Sequence, residues 1–247
     1  MGTVVTVDVR DPSISDEAVA AVTRWLHAVD ATFSTYRSDS AISRLDRGEI
    51  SPYECPDTVA WILDLSAELA DRTSGYFDVR YAGRLDPSGV VKGWSIDQAD
   101  QILRTAGSTS HSINAGGDVR SFGSPEPARP WRVGIVDPHD RTRLTTSVAG
   151  TDFAVATSGT AERGAHVLDP HTPRPAEDLA SVTVVGPDLT HADAYATAAL
   201  AMGHTALDWL PTLDGFDAYV VLADGRTWWS DGFPAIGDVP PTQRAAG

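Results

Sequence analysis

Polar and apolar positions along the chain fall into two periods. From Thr3 to Val9 the β-branched Val4, Val5, Val7 and Val9, set against polar Asp8 and Arg10, predict a strand. Val19, Val22, Trp25, Leu26 and Val29 then recur at helical spacing, which predicts a helix opened by Ser13 or Ser15 and running to about Phe33. A second helix is expected from Pro56 to Thr73, with Val59, Ile62, Leu63, Leu65 and Leu69 on its buried side and Ser74-Gly75 as its stop. A third, shorter one is expected from Ser95 to Ala106, ended by Gly107.

Beyond Gly107 the pattern shortens into strand-length runs. These are Ser112–Asn114, Val119–Phe122, Trp131–Val136, Leu144–Val148, Phe153–Ala156 and Ser181–Val185. Turn signals at Gly116-Gly117, Ser124-Pro125, Asp137-Pro138 and Ala149-Gly150 separate them. An Ala-rich helix containing Asp193 and Thr197 follows, then a helical stretch near Ala206–Leu210 and strands at Ala218–Leu222 and Thr227–Trp229. Helices and strands do not alternate regularly, so the fold class is α+β rather than a doubly wound parallel sheet. One domain over residues 1–232 is expected, with a Pro/Gly-rich tail from 233 to 247 trailing over the surface.

Composition narrows the chemistry. A chain of 247 residues can bury a substantial core. Its formal net charge of −15, with 19 Lys and Arg in no run, argues against a nucleic-acid partner. Cys55 is the single cysteine, which excludes an internal disulfide and a four-cysteine zinc site. No apolar run is long enough to span a membrane and no signal peptide is visible, so the chain as given reads as cytoplasmic. No G-x-G-x-x-G follows a strand and no phosphate-binding P-loop motif is present.

Candidate chemistry begins with Asp193 and Thr197. Four residues apart on a helix, a carboxylate and a hydroxyl share one face and suit a hard cation such as Mg²⁺. An Ala-rich packing helix with Asp193 near its positive end is the plainer explanation of the pair taken alone. Other islands accompany it in order. They are Phe33-Ser34-Thr35-Tyr36 with Ser38 to Leu45, Gly75-Tyr76-Phe77-Asp78, and Leu85 to Trp94 containing Asp86, Gly89 and Lys92. Asn114-Ala115-Gly116-Gly117-Asp118 and Ala156-Thr157-Ser158-Gly159, ahead of His166 to Thr172, complete the set. Singly, each has an ordinary explanation: a hairpin turn at Gly116-Gly117, a surface charge at Lys92, a core histidine at His166.

Taken together from Met1-Gly2-Thr3 to about Gly203, these motifs resemble the ApbE family of FAD:protein FMN transferases. The resemblance implies an α+β, T-fold-like ApbE architecture. It also implies a Mg²⁺-dependent enzyme that takes FAD as substrate and passes FMN to a Thr or Ser hydroxyl of an acceptor protein, releasing AMP. By motif match, Asp193 and Thr197 would hold the metal with backbone oxygens at Gly89 and Ala196. Met1, Tyr36, Tyr76, Phe77, Asp78, Asp86, Lys92 and Val167 would line the FAD site, with Tyr36, Tyr76 and Phe77 available to pack on its rings. His166 matches the family's catalytic histidine.

The chain departs from the family pattern in several places. Only seven residues separate Asp78 from Asp86, where a longer insert is usual. Asp46 stands for the usual Asn, Ala41 for a frequent acidic residue, and Pro173 for Gly; Pro87-Ser88 are unusual before Gly89. No departure touches the expected metal side chains, Lys92 or His166. The alternative functions are an FAD pyrophosphatase, a small-molecule flavinylating enzyme, or a non-catalytic FAD-binding protein.

Overall fold

In the computed structural model, residues 2–80, 83–159, 168–172 and 174–238 are described. Seven antiparallel strands form the central sheet in the order β1 (Val5–Val9), β2 (His111–Ala115), β3 (Asp118–Phe122), β6 (Asp152–Gly159), β9 (Leu179–Gly186), β10 (Asp217–Leu222) and β11 (Thr227–Trp229). β4 (Trp131–Val136) pairs with β5 (Leu144–Gly150) as a separate hairpin, and two-residue strands β7 (Leu168–Asp169) and β8 (Arg174–Pro175) pair with each other. The helices are α1 (Asp16–Phe33), α2 (Ala41–Asp46), α3 (Asp57–Arg72), α4 (Ser88–Thr105), α5 (Leu189–Met202) and α6 (Ala206–Trp209). The architecture is α+β.

Alternation along the central strands divides the core between the two faces of the sheet. Ala154 and Ala156 of β6 and Ala218, Val220 and Leu222 of β10 join the larger core, which the helices cover. Phe153 and Val155, with Tyr219 and Val221, enter a second core under the β4–β5 hairpin. That second core is completed by Phe233, which is fully buried. Gly237 bridges to Val148 and the Ile236 carbonyl accepts from the Ala149 amide at 2.8 Å. Phe233 and the backbone at Ile236 and Gly237 are therefore anchored to the fold, contrary to the expectation that the Pro/Gly-rich end trails over the surface from its start, while Pro234, Ala235 and Asp238 are exposed and residues 239–247 lie outside the described residues. One large aromatic outweighs the local turn composition.

α1 and α3 follow the periodic pattern closely. Ser15 is the N-cap of α1, Asp16 and Glu17 sit favourably in its first turn, and Val22, Val29 and Phe33 form its buried stripe. α3 buries Val59, Ile62, Ser66 and Leu69, whereas Leu63 and Leu65 are only half-buried. Ser74 and Gly75 both take positive φ beyond α3 and turn the chain out of the helix.

α4 is the main correction to the predicted elements. It starts at Ser88, seven residues before Ser95, so Gly89, Lys92 and Gly93 are helical. Two glycines in five residues speak against helix by propensity. Their reason is tertiary: a Cβ on Gly93 would stand 2.5 Å from the Leu189 carbonyl oxygen, so glycine is what lets α4 lie against the start of α5. The Asp97 carboxylate of α4 then accepts from the Leu189 and Thr190 amides at 3.0 and 2.8 Å, capping α5 from a neighbouring helix. α5 is buried nearly all round, between α4 and strands β6 and β9. No helix among the described residues is long and apolar enough to cross a membrane.

Candidate active site

Asp118, Lys92 and Asp193 meet where α4, α5 and the β2–β3 hairpin converge. Gly116 and Gly117 make the hairpin's two-residue turn, both with positive φ (64° and 105°), and Ala115 pairs with Asp118 across it. That turn places Asp118 as the first residue of β3, where the Thr157 amide of β6 donates to its Oδ1 at 3.0 Å. Asp193 sits one turn inside α5 and is 3 % exposed; Asp118 is 2 % exposed. Lys92 Nζ reaches between them, 3.2 Å from Asp193 Oδ1 and ion-paired with Asp118 Oδ2.

The cluster is electrostatically incomplete. Asp193 Oδ2 is buried and has no hydrogen-bond partner among the described residues. Asp118 Oδ2 has only the Lys92 ammonium as a partner among them. Burial pushes the Asp193 carboxyl above its ordinary value, Lys92 opposes that rise, and Asp118 adds to it. Burial also acts to lower the Lys92 ammonium, but the charges of Asp193 and Asp118 outweigh it and hold the group above its usual value. Lys92 is thus a fixed cation facing one carboxylate oxygen too many.

Thr197, one turn beyond Asp193 on α5, is half-buried, and its Oγ1 lies 3.1 Å from Ser158 Oγ of β6. Ala196 is fully buried on the same helix. Gly89 in the first turn of α4 packs on Phe77: a Cβ there would come within 3.0 Å of the ring. The Phe77 ring, 5 % exposed, is part of the core. Among the flanking aromatics, Tyr76 is half-buried and meets the His171 ring edge-on at 4.6 Å, and Tyr36 is 86 % exposed in the turn between α1 and α2.

The two exposed carboxylates expected at the site both organise local backbone. Asp78 accepts from the Arg80 amide at 2.7 Å. Asp86 accepts from the Ser88 amide at 3.1 Å and from the Ser88 hydroxyl, which starts α4 and explains its early N-terminus. Two described residues of the short segment between them are held: Val79 and Leu85 are buried, the Asp86 amide donates to the Val79 carbonyl, and Asp46 Oδ1 accepts from the Leu85 amide at 2.8 Å. A carboxylate at Asp46 supplies the acceptor that the Leu85 amide requires. Met1, His166 and Val167 lie outside the described residues.

The structure thus joins Lys92 to Asp193 and Gly89 to Phe77, and sets Asp86 at the start of the helix that carries Lys92. It adds two side chains that the sequence reading did not assign, Asp118 and Ser158. Both lay within the singled-out islands. The signal for Asp118 was a carboxylate directly after a two-glycine turn; for Ser158 there was none beyond the island itself.

Comparison with known proteins places this geometry in context. The family described as the ApbE family matches residues 1–83 and 80–220. An FAD:protein FMN transferase of Escherichia coli K12 is 25 % identical over 92 % of this chain and 83 % of its own length. One from Salmonella typhimurium is 24 % identical over 94 % and 86 %. The flavin transferase ApbE from Vibrio cholerae superposes with a TM-score of 0.84 at 22 % identity, covering 96 % of each chain. An ApbE protein from Thermotoga maritima gives 0.83 at 24 %, covering 95 % of this chain and 96 % of that one. Helical layer and antiparallel sheet correspond throughout, and the chain belongs to the ApbE family.

Proposed function

We propose that the protein is a transferase that moves FMN from FAD to the hydroxyl of a Thr or Ser on an acceptor protein, with Mg²⁺ bound at Asp193 and Thr197. The named activity of the E. coli and Salmonella relatives supports the transfer. The observation that carries the reading to these residues is the buried, unpartnered Asp193 Oδ2 beside Lys92.

The donor set fits a hard divalent cation. Asp193 Oδ2 has no competing hydrogen bond, Thr197 supplies a hydroxyl one turn along, and the backbone oxygens of Gly89 and Ala196 complete the oxygen-only set that the family resemblance assigns. When bound there, the ion supplies charge neutralisation at the pyrophosphate oxygens. The remaining work is positioning. Lys92 contributes a compact ammonium suited to phosphate oxygens, held at the junction of α4 and α5. Asp86, bonded to Ser88, and Leu85, held by Asp46, set the start of α4 and hence the height of Lys92. His166 takes the proton of the acceptor hydroxyl as its oxygen bonds to the FMN phosphorus. The pyrophosphate P–O bond breaks, and AMP leaves with the bridging oxygen.

The test is purified protein with FAD and Mg²⁺, with and without a Thr-bearing acceptor domain, followed by chromatography of FAD, FMN and AMP and by acceptor mass. AMP release with an acceptor gain of one FMN is expected. FMN and AMP without acceptor gain would make it a pyrophosphatase, and intact bound FAD would make it a carrier. His166→Ala is expected to retain FAD and lose transfer.

A further inference from the structure

Lys92 is the most accessible member of an otherwise buried cluster. Its side chain is 32 % exposed, against 3 % for Asp118 and 5 % for Asp193. Asp118 is fixed on its other oxygen by the Thr157 amide, and Asp193 is carried on a helix buried nearly all round. The ammonium touches both carboxyl groups, yet one Asp193 oxygen has no partner among the described residues. A single ammonium is therefore shared between two buried carboxyl groups. Any second cation at Asp193 must meet Lys92 at close range, where like charges repel strongly in a poorly solvated site.

We propose that Lys92 is a built-in competitor for the divalent cation at Asp193, and that Asp118 is the positioning residue that tunes the competition by offering the ammonium a second carboxylate. This rests on the metal reading of Asp193 above. Lys92 moves toward Asp118 when Asp193 is taken by a divalent ion. Asp118 keeps the ammonium compensated and inside the site rather than expelled to solvent. Metal affinity is then set partly by a residue that is not a ligand, and the protein binds its ion weakly until another group shares the load. An incoming pyrophosphate provides that group, because it draws on the ammonium and the metal together.

The experiment is Mn²⁺ binding to the full chain without FAD, followed by electron paramagnetic resonance of free Mn²⁺ and by calorimetry. Lys92→Met and Lys92→Gln are both expected to bind Mn²⁺ roughly tenfold or more tightly than the parent, since a nearby positive charge has gone. Asp118→Asn is expected to weaken binding about fivefold, because Lys92 is left with Asp193 alone. The decisive arm is the double variant: combined with Lys92→Met, Asp118→Asn should lose most of that effect, since it acts through Lys92. Equal weakening by Asp118→Asn in both backgrounds would mean a direct charge effect and would overturn its role. Unchanged or weaker Mn²⁺ binding in folded Lys92→Met and Lys92→Gln, checked by circular dichroism, would overturn the competitor role. Asp193→Asn separates this from the underlying assignment. If it abolishes binding, only the competition is at stake; if Mn²⁺ still binds, the metal reading of Asp193 itself has failed, and the competition with it.

Discussion

α4 and β3 carry two buried charge clusters, one toward each end of the helix, and they differ in how completely they are satisfied. At the first are Lys92, Asp118 and Asp193. At the second, Asp100 Oδ2 accepts from Arg104 Nε at 2.8 Å, and Arg120 Nη2 and Arg104 Nη2 both donate to Asp152 Oδ1, at 2.6 and 2.8 Å. His111, fully buried, donates from Nε2 to Asp100 Oδ1 at 2.7 Å, and its Nδ1 shares a hydrogen bond with the Ser108 hydroxyl at 2.8 Å. That Asp–His–Ser array has the connectivity of a hydrolytic triad, but Ser108 is 4 % exposed and every member has its partner. It is a strut joining α4 to β2. The first cluster leaves a carboxylate oxygen orphaned. Buried charge alone does not mark a site; buried charge with an unmet requirement does.

The comparison breaks most sharply at Asp193. Asp193→Ala should reduce FMN transfer by about a thousandfold or more, the scale of losing a charge-neutralising metal ligand. Its thermal midpoint should change little, because the residue removed was poorly satisfied. A large drop in stability with proportionate loss of activity would make the two clusters the same kind of object. Next in size is Arg120→Met. Removing this 7 %-exposed guanidinium weakens the compensation of Asp97, Asp100 and Asp152 together, and should cost about 3 kcal/mol in urea denaturation. FAD binding per folded molecule should be retained.

The smallest effect sharpens the second cluster through pH. Partial burial tends to raise the Asp152 carboxyl, but its bonds to Arg104 and Arg120 outweigh that and leave it below its ordinary value. A depressed acid stabilises the folded state above the unfolded-chain value of about 3.9, and the contribution is lost as pH falls through the folded value. Asp152→Asn should therefore cost about 1 kcal/mol at pH 7, given that the side chain is half exposed, and progressively less as pH falls below 4. Chemical denaturation at pH 7, 4 and 3 checks it; an equal loss at all three would mean that packing, not charge, is at work.

Much of the fold was legible in the chain. α1 and α3 follow from a single apolar stripe each, and the short strands after Gly107 follow from alternation between turn signals. The start of α4 was not, because glycine has low helix propensity, and the reason for Gly93 lies about a hundred residues away in the Leu189 backbone while Gly89 packs on the Phe77 ring. Phe233 was missed for the same kind of reason. It sits among prolines and glycines in sequence and among Tyr219, Val221 and Ile135 in space. At the site, the helical spacing of Asp193 and Thr197 alone is met as well by a packing helix; it is the ordered set of motifs that carries the family.

By itself, then, the sequence determined the local periods, the α+β class and the family. These are properties of spacing and residue type, which survive without knowledge of the fold. Only the tertiary structure decided that Asp118 shares Lys92 with Asp193, that Asp46 holds the Leu85 amide, and that one Asp193 oxygen has no partner among the described residues. Whether a buried charge is satisfied depends on atoms brought together from distant parts of the chain, and no local pattern encodes that sum.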